Sequence, residues 1–334
     1  MGRVTLARFG VRNRALMAFA AASAVVALLN GCSAPGSSFS ASGSSTASGS
    51  PAATGAGSAA SGSSTVASSA GPWVIPLPTE LPESISYDQA MRLFEYDGSR
   101  PFDLVETSVS EQSGVTIHDI TYLQASGSRT QAFLVVPHGS GPFGGVMYLH
   151  GALGASSNFL QEAIDLAQHG LVSLLITAPE WITQPVTAEE AVNEIAFEMR
   201  ELRRSLDLLA SRPEVDPRRL GFVGFSYGAM RGGTFAGIEG GRLSIAVLMS
   251  TPPSYHVAYM APFDPIVWAP HVSPAALYVQ EGTQDTWFTH DEAESLVAAA
   301  HQPKQLVWYQ ANHALNQDAY DDRVGWLERT LGGT

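Results

Sequence analysis

Cysteine is almost absent from this chain of 334 residues, with Cys32 standing alone. A single thiol excludes an intramolecular disulfide and any cysteine metal cluster. Acidic residues are missing until Glu80, and the only basic residues before it are Arg3, Arg8, Arg12 and Arg14. Past residue 31 basic charge is scarce, 14 Lys and Arg against 31 Asp and Glu, so the net −13 divides into +4 on the leader and −17 on the rest. An acidic body of this kind repels phosphate backbones, which argues against a nucleic-acid partner. No H-E-x-x-H, H-x-H or EF-hand pattern occurs, so neither a metal nor a cofactor is expected. There is no internal repeat, and a hydrophobic content of 45% excludes a wholly disordered or collagen-like chain.

A long membrane span is also lacking. Ala15–Leu29 is uncharged and apolar, but its 15 residues would reach only ~22 Å as a helix, against ~30 Å of hydrocarbon. With the arginines before it, this reads as the core of an export signal, residues 1–31. Arg12-Asn13-Arg14 is not a twin arginine, so export in the unfolded state is expected. Leu29-Asn30-Gly31-Cys32 resembles the lipobox of bacterial lipoproteins, which implies that Cys32 is diacylated and becomes the mature N-terminus. In residues 33–71 only Phe39 and Val66 depart from Ser, Thr, Gly, Ala and Pro. Such a stretch cannot bury enough apolar surface to offset its ordering entropy. Residues 32–71 are therefore expected to be a tether spanning roughly 35 Å as a random coil. The expected layout is an envelope lipoprotein whose working part lies outside the cytoplasm.

Residues 72–334 read as one α/β domain. Val115–Tyr122 and Gln131–Pro137 have the pattern of antiparallel strands. Gly145–Leu149, Leu171–Ile176, Leu220–Phe225, Ile245–Met249, Ala275–Val279 and Gln305–Tyr309 are short apolar runs typical of strands buried on both faces. Between and after them lie the helical segments Asn158–Gln168, Ala188–Ala210, Tyr227–Gly237, Asp291–Ala300 and Asp318–Leu331. This order predicts a mostly parallel sheet flanked by helices, with any ligand bound beyond the carboxyl ends of the strands. Gly139–Gly144 matches G-x-G-x-x-G by letters, yet it contains Pro142 and enters a strand, so it is a connection. The acidic residues scattered along the helices are expected to form mainly a solvated face.

Gly224-Phe225-Ser226-Tyr227-Gly228 is a G-x-S-x-G at a strand-to-helix junction. There a sharp turn exposes the serine hydroxyl above the sheet, and the flanking glycines remove Cβ atoms from a tight crossing. A serine nucleophile needs a base and an orienting acid, which follow it in the order acid then histidine in this architecture. His313, after the last strand, is the expected base, and His256, His271, His290 and His301 read as surface or capping histidines. Asp285, after Ala275–Val279, is the expected acid, with Asp264 its rival and Glu281 too close to the strand end. The oxyanion hole requires two backbone N–H groups. Tyr227 supplies one, and Ala152 is expected to supply the other, with Leu153 next. His150 reads as a structural hydrogen-bonder, and Asp216 with Arg218 and Arg219 as a structural turn.

Together, His150-Gly151, Val215–Leu220 leading into Gly224–Gly228, Gly282–Asp285 and Asn312-His313 resemble the α/β-hydrolase superfamily, in its dienelactone-hydrolase and related carboxylesterase branch. The resemblance covers Thr116–Leu331. The branch's namesake enzymes use a cysteine nucleophile; Ser226 occupies that position here, which implies a serine esterase with a Ser-His-Asp triad and an acyl-enzyme. Thr251–Pro274 is short for a full lid. Trp181, Trp268 and Trp287 are the expected pocket residues, suited to a short acyl or aromatic ester if they face Ser226. The partner is then a small-molecule ester, and the protein a monomer. A serine peptidase acting on short peptides and a non-catalytic surface binding lipoprotein remain the alternatives. Against a peptidase, residues 72–115 are too few for an N-terminal propeller.

Overall fold

In the computed structural model the described residues are 86–152, 154–178, 187–252, 254 and 258–333. The expected export signal, Cys32 and the tether lie outside them. Among the described residues no helix is long and apolar enough to cross a membrane.

The chain opens with α1 (Tyr87–Leu93), started by a capping box in which Ser86 and Gln89 satisfy each other's backbone N–H groups. Three antiparallel strands follow: β1 (Val105–Gln112), β2 (Val115–Leu123) and β3 (Arg129–Pro137). The chain continues as β4 (Phe143–Leu149), α2 (Leu160–Gln168), β5 (Leu171–Ile176), α3 (Ala188–Ala210), β6 (Val215–Phe225), α4 (Tyr227–Glu239) and β7 (Leu243–Met249). A connection with only short helical turns, including α5 (Pro265–Trp268), leads to β8 (Ala276–Gly282), α6 (His290–Ala299), β9 (Lys304–Tyr309) and α7 (Gln317–Leu331). One sheet of nine strands results, in the order β1-β2-β3-β5-β4-β6-β7-β8-β9. Strands β4 to β9 run parallel to one another, so their carboxyl ends share one edge.

The apolar runs are continuous because both faces of these strands are covered. On β4, Met147 and Leu149 pack into one core with α1, α3, α4 and α6, while Val146 and Tyr148 pack into a second with α2 and α7. β5 and β7 divide their residues in the same way. The result is a three-layer α/β-hydrolase fold, in agreement with the sequence pattern.

Three numbered elements escaped the sequence reading, the single turn α5, β1 and α1. β1 is exposed along its whole length, so it carries no apolar alternation. α1 is a short helix in which only Ala90 and Leu93 are buried. β6 also begins earlier than expected, at Val215, which already pairs with Phe143 of β4; the register is irregular before Leu220, and in that stretch Asp216 forms ion pairs with Arg218 and Arg219.

Candidate active site

Ser226 stands between the last residue of β6 and the first of α4, with φ of 52° and ψ of −113°. A non-glycine residue in this region is strained by roughly 1–3 kcal/mol. The surrounding backbone holds it there: the Ser226 N–H donates to Met249 O on β7 at 2.8 Å, and its carbonyl accepts from Met230 N–H at 2.9 Å. The flanking glycines are sterically required. A Cβ on Gly224 would lie 2.4 Å from Gly228 O, and a Cβ on Gly228 would lie 2.2 Å from Leu149 O.

Asp285 follows β8 and His313 follows β9, so both arise from loops on the edge that carries Ser226. His313 Nε2 lies 2.9 Å from Ser226 Oγ, and His313 Nδ1 lies 2.7 Å from Asp285 Oδ2. The Asp285 carboxylate is only 3% exposed, and its Oδ1 accepts the Trp287 N–H at 2.8 Å. The His313 carbonyl accepts from Ser250 Oγ at 2.8 Å, tying the histidine loop to the end of β7. Around the imidazole stand Phe225, Trp287 and Phe288, with ring centroids 5.3, 5.7 and 5.7 Å away. The three residues selected from sequence thus form one hydrogen-bonded line. The rival acid Asp264 is not in it; its carboxylate accepts from Ser254 Oγ.

His271 stacks on Tyr87 at 4.0 Å, His290 lies tilted against Trp308 at 4.2 Å, and His301 is exposed; His256 lies outside the described residues. His150 has the structural role expected of it. Its Nδ1–H donates to Gly151 O at 2.8 Å, and Nε2 accepts the Ala178 N–H at 3.0 Å. That pairing needs the neutral ring, and burial lowers the pKa of His150 accordingly. The loop after β4, which carries Ala152, is thereby fastened to the end of β5. Because Gly228 abuts Leu149 O and His150 O, the same loop lies against the first turn of α4, where Tyr227 sits. Ala152 is exposed, and Leu153 lies outside the described residues.

The acidic residues of α3 depart from the expected solvated face. Glu198 and Glu201 are buried. Glu198 accepts a short hydrogen bond from the Tyr227 hydroxyl and pairs with Arg231 at 2.5 Å, while Arg231 Nε also donates to that hydroxyl at 3.0 Å. Burial raises the Glu198 pKa, and Arg231 opposes the rise. Glu201 accepts the Ala125 and Ser126 N–H groups at 2.8 and 2.9 Å. No periodicity distinguishes such carboxylates from solvated ones; their partners lie on α4 and in the loop after β2, distant in sequence.

The sequence pattern of the dienelactone hydrolase family matches residues 130–325, more than half of the chain and all three members of the hydrogen-bonded line. The chain belongs to the dienelactone hydrolase family. At family level it is a hydrolase acting on esters. No curated protein matches its sequence. Among solved structures, an acetyl xylan esterase from Paenibacillus sp. R4 is similar with a TM-score of 0.63 at 18% identity, over 73% of this chain and 93% of that one. Acetyl xylan esterase 1 from Thermoanaerobacterium sp. JW/SL YS485 gives 0.62 at 13%, over 73% and 92%. A putative dienelactone hydrolase from Klebsiella pneumoniae subsp. pneumoniae MGH 78578 gives 0.52 at 20%, over 68% and 99%. At these identities the likeness is one of fold.

In this dienelactone hydrolase family member the three expected pocket tryptophans part company. Trp181 lies outside the described residues. Trp268 is a correction: it is 2% exposed and packs in the core against Tyr87 and Phe94, at 5.4 and 5.6 Å. Its backbone lies against Gly237, eleven residues along α4 from Ser226 and therefore ~16 Å down the helix. Its indole N–H donates to Pro262 O at 3.0 Å, so no polar group is left for a ligand. Trp287 instead stands beside His313 and is 46% exposed.

Proposed function

We propose that the protein is a serine carboxylic-ester hydrolase working through an acyl-enzyme. The observation that carries this reading is the unbroken hydrogen-bonded line from Ser226 Oγ through His313 to Asp285. His313 Nε2 takes the Ser226 proton as Oγ attacks the ester carbonyl carbon. Asp285, its carboxylate shielded from water, holds Nδ1–H toward itself and stabilises the imidazolium that forms. The backbone N–H groups of Tyr227 and Ala152 receive the developing oxyanion, a donor of this kind being worth about 3–4 kcal/mol in the transition state. The carbonyl re-forms, the C–O bond to the alcohol breaks, and His313 delivers its proton to the departing oxygen. Water, deprotonated by the same histidine, then releases the acid. The Tyr227 side chain, held by Glu198 and Arg231, gives the first turn of α4 a rigid footing.

The test is hydrolysis of p-nitrophenyl acetate by the purified wild type and by Ser226→Ala. The reading expects a loss on the order of 10⁶-fold in kcat; undiminished activity in the variant contradicts it. We also propose that Cys32 carries lipid and holds the catalytic domain at an envelope membrane through the uncharged tether. The leader's charge, its 15-residue apolar run and the placement of the only cysteine support this reading.

A further inference from the structure

Trp287 is the large exposed apolar side chain that adjoins the hydrogen-bonded line. Its main chain is fixed, since its N–H is bonded to Asp285 Oδ1. Its ring is not folded away: the residue remains 46% exposed while the indole leans on the His313 imidazole at 5.7 Å. Phe225 and Phe288 also touch that imidazole, but both are half-buried. Trp287 makes the smallest interplanar angle with it, 36° against 49° and 57°. An indole beside the histidine and nearly half exposed offers surface on which a ring can stack.

The side of the ester that it meets follows from the chemistry. In acylation the proton taken by His313 Nε2 goes to the leaving alcohol oxygen, so that oxygen must come within hydrogen-bond reach of the imidazole. The carbonyl oxygen must meanwhile turn toward Tyr227 and the loop after β4. Groups attached to the alcohol therefore extend along the His313 side, where Trp287 stands, and the acyl chain extends elsewhere. The body of the protein carries −17 beyond residue 31, which disfavours anionic alcohols.

We propose that Trp287 is a specificity-determining residue, a stacking platform that selects esters whose alcohol portion is uncharged and carries a ring. This inference rests on the ester-hydrolase reading and names the substrate class for that same site.

Three esters separate the possibilities: ethyl acetate, benzyl acetate with a ring on the alcohol, and ethyl phenylacetate with a ring on the acid. Ethanol and benzyl alcohol are similarly acidic leaving groups, so the first two differ in recognition more than in reactivity. Wild type should favour benzyl over ethyl acetate by roughly 10-fold in kcat/KM. Trp287→Ala should abolish that preference, Trp287→Phe should keep part of it, and the ratio of ethyl phenylacetate to ethyl acetate should stay as in wild type. Wild-type hydrolysis of ethyl acetate with no benzyl preference overturns the platform alone. So does an equal loss on all three esters in Trp287→Ala, which would make the indole only a support for His313, or a loss confined to ethyl phenylacetate. Failure of wild type on all three and on p-nitrophenyl acetate overturns the ester-hydrolase reading itself.

Discussion

Glu281, next to last in β8, has its carboxyl inside the protein, 2% exposed and accepting the Thr251 N–H at 2.8 Å. Burial pushes its pKa up to about 8; the Thr251 hydrogen bond opposes the rise and the Asp285 charge adds to it. In the unfolded chain this carboxyl ionises near 4.5. Between those values the folded state binds more protons than the unfolded one, so Glu281 lowers stability as pH rises from about 4.5 to about 8 and no further above. The span corresponds to about 3–5 kcal/mol. Glu281→Gln should therefore match wild type near pH 4.5 and gain progressively toward pH 8, read as the difference in Tm across pH; a constant difference contradicts the assignment. A second residue-scale test concerns the turn at Ser226. Gly228→Ala should cost about 2–4 kcal/mol or prevent folding, because two backbone carbonyls already occupy the Cβ position. Gly241→Ala, with nothing within 4 Å, should be nearly neutral in the same melts. Ser226, Asp285 and His313 were legible because residue type, order and strand ends together define them. The fate of Trp268 and Trp287 was not, since an aromatic after a strand can turn inward or outward and only packing decides.

At the level of elements, the buried strands were readable because continuous apolar runs leave few other readings, and the helices because they alternate with those runs; α2 and α3 add a clear apolar stripe, which the almost wholly buried α4 lacks. β1 was missed for the reason that makes it tolerant: it borders β2 on one side only and neither of its faces is covered. Val109→Lys should accordingly change stability by no more than about 0.5 kcal/mol in a denaturant titration. α6 makes the opposite case. Thr289 and Glu292 form a capping box at its start, the Thr289 hydroxyl accepting the Glu292 N–H at 3.3 Å and Glu292 reaching back to the Thr289 N–H at 2.8 Å. Thr289→Ala should cost about 1 kcal/mol in the same titration. That loss matters for function because α6 follows directly on the Asp285–Phe288 loop. The buried pairing of α3 with α4 through Glu198, Arg231 and Tyr227 was not legible, because partners on separate helices leave no local signature.

Across the whole molecule, the strand order brings the ends of β6, β8 and β9 to one edge, gathering residues 226, 285 and 313 from far apart in the chain. The acidity of the molecule belongs to this body, and the basic charge of the first 31 residues to the proposed export signal. If Cys32 is the anchor, intact mass of the membrane-extracted wild type should show a chain that begins at Cys32 and carries acyl groups, whereas Cys32→Ser should carry no lipid and keep residues 1–31, with kcat/KM on p-nitrophenyl acetate unchanged. A wild type without acyl mass, or the same acyl mass on Cys32→Ser, contradicts lipidation at that residue. The central claim is that Ser226 is a nucleophile activated by His313 and Asp285, and covalent trapping reaches it most directly. Purified protein treated with a small fluorophosphonate and examined by intact mass and peptide mapping should gain one phosphonyl group, on Ser226. The same treatment should leave Ser226→Ala unmodified and label His313→Ala far more slowly. Labelling on another residue, or none at Ser226 in a protein that hydrolyses esters, would contradict the account.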